Sequence, residues 1–210
     1  MYYLVNLLFL DDVLLFSPFF IEELQISYNI IINVYAAAGL YNEVEKLIQA
    51  MQRDGFSPNS FTYLSLVQAY TEAAKYSEAE ETINSMQKQG IPPSCTHVNH
   101  LLSAFSKAGL MAEATRVYNE SLAAGLIPDL ACYRTMLKGY MDHGYIEEGI
   151  NLFEEVRESS ESDKFIMSAA VHLYRYAGKE HEANDILDSM NSVRIPFMKN
   201  LEVGSKIKPS

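Results

Sequence analysis

The sequence predicts an all-α fold, a right-handed α-solenoid of helix-turn-helix repeats. Three observations carry this expectation. An aromatic residue recurs at Tyr35, Tyr70, Phe105, Tyr140 and Tyr174, with spacings of 35, 35, 35 and 34. Four residues after each stands Gly39, Ala74, Gly109, Gly144 or Gly178, and eight after each stands Glu43, Glu78, Glu113, Glu148 or Glu182. Three copies then close with Gly and, three residues on, Pro: Gly55 and Pro58, Gly90 and Pro93, Gly125 and Pro128. A period of this length marks stacked supersecondary units, because one helix pair cannot bury its apolar face alone.

Residues 1–24 match no repeat and contain no Lys, Arg or His. Asp11 and Asp12 interrupt their apolar run, leaving stretches too short to span a bilayer. The basic start and small-residue cleavage site of a signal peptide are missing, as is the Arg- and Ser-rich composition of a transit peptide. The segment is expected to pack as an apolar helix on the first repeat, against Ile31, Ile32 and Leu47. Five repeats follow, at 25–59, 60–94, 95–129, 130–163 and 164–198, and residues 199–210 form a short tail. First helices are expected near 26–38, 61–74, 96–108, 131–143 and 165–177, where apolar residues fall at helical spacing, as in Ile31, Ile32 and Tyr35. Second helices are expected near 41–53, 76–88, 111–123, 146–158 and 179–191. The Gly after each first helix suits a left-handed C-cap, and the Gly-x-x-Pro segment ends the second. The small or β-branched residue beside each Glu (Val44, Ala79, Ala114, Gly149, Ala183) lets the two helices approach, and the aromatic fills the space between them.

The chain has 210 residues, 49% of them hydrophobic, so it can bury a sizeable core. Its 27 acidic and 16 basic residues give a net charge of −11, which excludes a generic polyanion binder. The charges segregate, however. The first-helix segments hold Lys107, Arg134, Lys138, Lys164 and Arg175 against Glu72 and Asp142, a surplus of +3, so the remainder carries −14. A mildly positive face lined by first helices, backed by acidic second helices, is compatible with local phosphate contact. Cys95 and Cys132 form no CxxC and stand far apart in sequence; they read as small core residues, neither a disulfide framework nor a zinc knuckle. His97 and His100 share one helix face without a spaced third ligand and read as polar residues near that face. Glu154, Glu155 and Glu158 read as a solvated helix face. No metal site, cofactor or catalytic residue is expected.

The residues Ser27-Tyr28-Asn29-Ile30-Ile31-Ile32, Tyr35-Ala36-Ala37-Ala38-Gly39, Glu43-Val44, Met51 and Gly55-Phe56-Ser57-Pro58-Asn59 resemble the pentatricopeptide repeat family, in its P-type with 35-residue units. The string recurs around Phe61-Thr62-Tyr63 and Glu78-Ala79, and again around Phe105 to Gly109 and Gly125 to Asp129. The resemblance covers 25–198, and the chain resembles the C-terminal repeats of a longer plant organellar protein of that family. It implies single-stranded RNA as the partner, read one base per repeat. In that family the fifth and last residues of each unit face the base. The resemblance so assigns Asn29 with Asn59 to a pyrimidine, C preferred, and Asn99 with Asp129 to U. Leu64 with Ser94 and Arg134 with Asp163 are not read by the pattern, and Ser168 leans to purine beside an apolar Met198. The second residue of each unit sandwiches the base: Ile26, Phe61 and Phe165, with Thr96 and Ala131 at the other two positions. Lys107, Lys138 and Arg175 would contact phosphate. Neither HExxH nor a paired-cysteine motif beside His181-Glu182 supports editing-type chemistry. The resemblance implies an organelle, the chloroplast ahead of the mitochondrion, and a role in RNA processing, stability or translation without catalysis. A protein-interaction scaffold, or a fragment of a longer RNA-binding array, is the alternative.

Overall fold

A computed structural model describes residues 18–157, 163–201 and 204. The described residues form ten α-helices and no strand: α1 (Pro18–Ala37), α2 (Tyr41–Arg53), α3 (Ser60–Glu72), α4 (Tyr76–Lys88), α5 (Cys95–Ala108), α6 (Met111–Ala123), α7 (Leu130–His143), α8 (Ile146–Val156), α9 (Lys164–Tyr176) and α10 (Glu180–Ser192). Nearly all bounds fall within two residues of the sequence expectation. The exception is α1, which starts at Pro18, ahead of the repeat boundary placed at 25. The expected packing of the remaining amino-terminal residues lies outside the described residues, as does Glu158. No described helix is long and apolar enough to cross a membrane.

The chain divides into two compact parts, 1–92 and 93–210. In the first, α1 packs on α2 and α3, and α3 packs on α4. In the second, α5 packs on α6 and α7, α7 on α8 and α9, and α9 on α10. First helices therefore lie side by side within each part. Each second helix packs on its own first helix, and no two second helices within a part meet among the described residues.

One turn recurs after every first helix. The backbone carbonyl of the repeating aromatic accepts the N–H five residues on: Leu40 to Tyr35, Lys75 to Tyr70, Leu110 to Phe105, Tyr145 to Tyr140 and Lys179 to Tyr174, all at 2.8–2.9 Å. This bond needs a left-handed residue just before the donor. Gly39, Gly109, Gly144 and Gly178 supply it, and Ala74 adopts φ +57° in the same place. The second helices start without a side-chain cap bond, and each has an acid in its first turn: Glu43, Glu78, Glu113, Glu147 with Glu148, or Glu180 with Glu182. The periodic Glu thus works on the helix dipole, worth about 0.3–1 kcal/mol each.

Packing explains the other periodic residues. Val44, Ala79, Ala114 and Ala183 are fully buried. At Gly149 an added Cβ would come within 2.8 Å of Leu173, so even a methyl group crowds that crossing. The aromatics are core, as expected, and four of the five are fully buried. Their hydroxyls reach back to the preceding repeat's second helix: Tyr70 donates to Glu45 at 3.0 Å and Tyr174 to Glu154 at 2.5 Å, while Tyr140 meets Thr115 at 2.8 Å. Burial, reinforced by the Glu45 carboxylate, pushes the Tyr70 hydroxyl up to about 12. Glu154 is therefore more than a solvated acid: it anchors a repeat junction.

First helices after the initial one are capped by the last residue of the preceding repeat, namely Asn59, Ser94, Asp129 and Asp163. Asp163 is the most buried of these. Its Oδ1 accepts from the Ile166 N–H at 2.9 Å, and its Oδ2 accepts from Arg134 Nε at 3.0 Å and from Arg134 Nη2. Burial pushes its carboxyl up, but the Arg134 hydrogen bond and the Ile166 and Phe165 N–H groups outweigh this and hold it below the usual carboxylate value.

Two outcomes follow for stability. Ala74→Gly relieves a left-handed alanine and is expected to raise unfolding free energy by about 0.5–1 kcal/mol, read by urea denaturation. A variant less stable than the parent contradicts the cap assignment. Asp163→Ala removes a cap and leaves Arg134 unpaired, so a loss of about 1–3 kcal/mol is expected. Because the folded-state pKa is depressed, the Asp163 contribution is complete above the ordinary carboxylate value near ~4 and is lost as pH falls through the lower folded value. Acid titration of the Asp163→Ala protein should therefore show a shallower stability loss than the parent below that pH.

Candidate nucleic-acid interface

Repeat register brings Asn29, on the second turn of repeat one, beside Asn59, which caps the next repeat. Asn29 Nδ2 lies 3.5 Å from Asn59 Oδ1. Thr62 links the two: its hydroxyl donates to Asn29 Oδ1 at 2.6 Å and accepts from the Asn59 N–H at 3.1 Å. Asn59 Oδ1 in turn accepts from the N–H groups of Phe61 and Thr62. With its oxygen occupied, the Asn29 amide has Nδ2 as its remaining recognition group, which suits an acceptor on a base edge. Thr62 was not singled out from the sequence, although Asn59-x-x-Thr62 is a capping-box signature that could have found it.

Two periods later the same positions are Asn99, Asp129 and Cys132. Asp129 accepts from the Cys132 N–H at 2.9 Å and so caps α7. Cys132, however, stands where Thr62 stands, and a thiol is a weak donor. Asn99 Oδ1 is buried and has no hydrogen-bond partner among the described residues. Cys132 is buried, as expected, but Cys95 is half-exposed, which corrects the expectation that both are core residues. The stacking of repeats brings a Cys95 and a Cys132 ligand atom, with one from Asp129, within 4.8 Å of one another.

The other positions behave differently. Leu64 is half-buried and Ser94 exposed. Arg134 and Asp163 meet each other in an ion pair, so both side chains are already committed. Ser168 is fully buried and accepts the Met198 N–H at 3.0 Å, so it presents no group to a base in this conformation. His97 is also buried, contrary to the expected surface position; its Nδ1 accepts from the Ser94 N–H at 3.2 Å within the α5 cap. Among the sandwich positions, Phe61 is 71% exposed and Ile26 52%, wide open for stacking, with Thr96 and Ala131 exposed as well. Phe165 is half-buried, and with Lys138, Met141 and Asp142 it lines a pocket closed on one side by Asn200 and Leu201 of the tail. The Gly204 N–H donates to the Met141 carbonyl, in the last turn of α7, at 2.8 Å.

The expected positive face is weaker than counting suggested. All five first-helix cations lie in the second part, and three are ion-paired: Arg134 with Asp163, Lys138 with Asp142 at 2.9 Å and Arg175 with Glu180 at 3.7 Å. Asp163 and Glu180 lie outside the first-helix segments, so the count missed them. Lys107 and Lys164 are exposed and make no ion pair among the described residues.

The Thr62–Cys132 contrast gives a direct check. Cys132→Thr places a hydroxyl where Asn99 Oδ1 lacks a donor, and a gain of about 1 kcal/mol is expected in denaturant unfolding. A clear loss of stability means that the third repeat does not share the first repeat's geometry.

Similarity to known proteins agrees with this architecture. The PPR repeat family model matches residues 25–72, and the PPR repeat model matches 61–91, 96–126 and 131–160, together over half of the chain. No match is found among the curated proteins. The pentatricopeptide repeat protein PPR10 from maize is 26% identical, with a TM-score of 0.64 over 80% of this chain and 24% of that one. The same protein in complex with an 18-nt psaJ RNA element aligns at 26% identity and a TM-score of 0.60, over 80% of this chain and 25% of that one. The PPR domain of Arabidopsis thaliana protein-only RNase P 1, solved with tRNA, shares 15% identity over 81% of this chain and 90% of that one. Its TM-score of 0.60 speaks to the fold alone. The chain spans about a quarter of the length of the maize protein. The 35-residue register, the helix pairs and the family match agree on one conclusion: this all-α helical-repeat solenoid belongs to the pentatricopeptide repeat family.

Proposed function

We propose that the chain binds single-stranded RNA, one base per repeat, and acts in organellar RNA processing, stability or translation without catalysis of its own. The observation that carries this is the convergence of Asn29 and Asn59 beside the exposed ring of Phe61. A planar base needs an edge reader and a stacking surface, and these residues offer both. The family membership, and the RNA bound to the maize relative, support the same reading.

Base reading falls to repeats one and three. Asn29 with Asn59 takes a pyrimidine, C preferred, and Asn99 with Asp129 takes U two bases later. Leu64 with Ser94 contributes no matching edge, and Arg134 with Asp163 and Ser168 with Met198 are engaged internally. Phosphate contact falls first to Lys107, because Lys138 and Arg175 must leave an acid to reach RNA. Ile26 and Phe61 stack; Phe165 does so once the tail moves. Organellar location, the chloroplast ahead of the mitochondrion, is part of the proposal and rests on the family. The second reading is a protein-binding scaffold, favoured by the −14 outside the first helices and by the ion-paired cations.

Fluorescence anisotropy with short single strands tests the reading. Asn99→Ala should weaken binding to a strand with U at that step by roughly 5- to 30-fold, the equivalent of a base hydrogen bond of about 1–2 kcal/mol. Asp129→Asn keeps a helix cap and should move preference from U toward C. Lys107→Ala should weaken all sequences alike and flatten the salt slope by about 0.7. Equal affinity for U and C in the parent, or no RNA binding at low salt, favours the scaffold.

A further inference from the structure

Cys95 lies in the first turn of α5, Cys132 in the first turn of α7, and Asp129 caps α7. One ligand atom from each residue lies within 4.8 Å of the others. We propose that these three side chains form a binding site for a thiophilic divalent cation of the zinc class, with solvent as the fourth ligand.

Geometry and chemistry both point to such an ion. Zinc–sulfur bonds near 2.3 Å and zinc–oxygen bonds near 2.0 Å in a tetrahedron place ligand atoms roughly 3.3–3.8 Å apart. Small side-chain rotations bring the cluster to that spacing. Two thiolates with one carboxylate select a borderline-soft ion over magnesium or calcium, which prefer oxygen alone. The carboxylate is already oriented, since the Cys132 N–H holds Asp129 Oδ1 at 2.9 Å. The Cys95 thiol donates to the Ile127 carbonyl at 3.0 Å and the Cys132 thiol to the Cys95 carbonyl at 3.8 Å, bonds that the ion replaces. Asp129 is exposed and leaves an open side for the ion and for water, while Cys132 forms a dry floor. Two thiolates and a carboxylate bring three negative charges, so the bound site is left with one; the α7 amino terminus lies beside it and favours that charge. Burial raises the Cys132 thiol to about 12, so that sulfur gives up its proton to solvent as the ion binds.

Binding would also take the Asp129 carboxylate away from a base. This consequence rests on the RNA reading, whereas the ion site does not, so a titration without RNA separates them.

The experiment is anaerobic titration of the full chain with cobalt(II) after reduction and removal of the reductant. One cobalt per chain is expected, with near-ultraviolet thiolate-to-cobalt absorption that zinc then displaces. Cys95→Ser and Cys132→Ser should each abolish that absorption, and Asp129→Asn should weaken binding by about tenfold. Circular dichroism controls for folding; should Cys132→Ser unfold, the half-exposed Cys95→Ser carries the test. Absence of the absorption in protein whose two thiols titrate as reduced overturns the proposal. So does an undiminished band in Cys95→Ser. A reduced chain that takes no cobalt but forms a Cys95–Cys132 disulfide in air also overturns it, identifying the pair as a redox bridge.

Discussion

Every helix pair depends on one hydrogen bond: an N–H just past a left-handed residue returning to the carbonyl of the repeating aromatic. The bond reverses the chain and satisfies an orphan carbonyl at the helix end. It also fixes where the aromatic ring stands relative to the second helix. From that anchor the ring fills the crossing, and the hydroxyls of Tyr70, Tyr140 and Tyr174 reach the preceding repeat at Glu45, Thr115 and Glu154. Turn geometry and stacking between repeats are thus set by the same residue, which is why the aromatic is the most regular feature of the chain. The close crossing permitted by Val44, Ala79, Ala114, Gly149 and Ala183 follows from it.

The opposite end of each first helix carries the positions proposed to face RNA. On that reading the last residue of a repeat must cap the next helix while leaving a group for a base. Asn59 meets both because Thr62 shares the capping work and leaves the neighbouring Asn29 an amide donor. At the fourth junction the cap and the fifth residue satisfy each other as Arg134 and Asp163, which stabilises the junction and removes both from recognition. At the third, Cys132 replaces the threonine, leaving Asn99 Oδ1 unsatisfied and gathering thiols and a carboxylate instead. One layout therefore gives three chemistries, decided by the residue three places beyond the cap or by the charge at the fifth position.

Electrostatics follows the same local logic. Each second helix has at least one acid in its first turn, where it offsets the helix dipole, so part of the net −11 is a structural consequence of building five such helices. The cations of α7 and α9 are largely answered by acids, which keeps the field near the first helices weak and short in range. The tail adds a further constraint, lying against Lys138 and Phe165 and held by the bond from Gly204 to Met141.

The sequence by itself determined the fold class, the repeat register and nearly every helix boundary, because each rests on local chemistry that recurs with the period: a left-handed cap, an acid in a first turn, a small residue at a crossing. The assignment of Asn29, Asn59, Asn99 and Asp129 to base reading rests on the family resemblance and belongs to the proposed function. The sequence missed what depends on residues far apart in the chain. That Ser168 is buried and bonded to Met198, that Arg134 turns to Asp163 and that Cys95 comes to Cys132 are decided by residues about 30 or more positions away, whereas His97 folds into a local cap with Ser94, three residues before it. Periodicity fixes which residues share a face, but only packing decides whether a polar group on that face meets solvent, a base or another side chain.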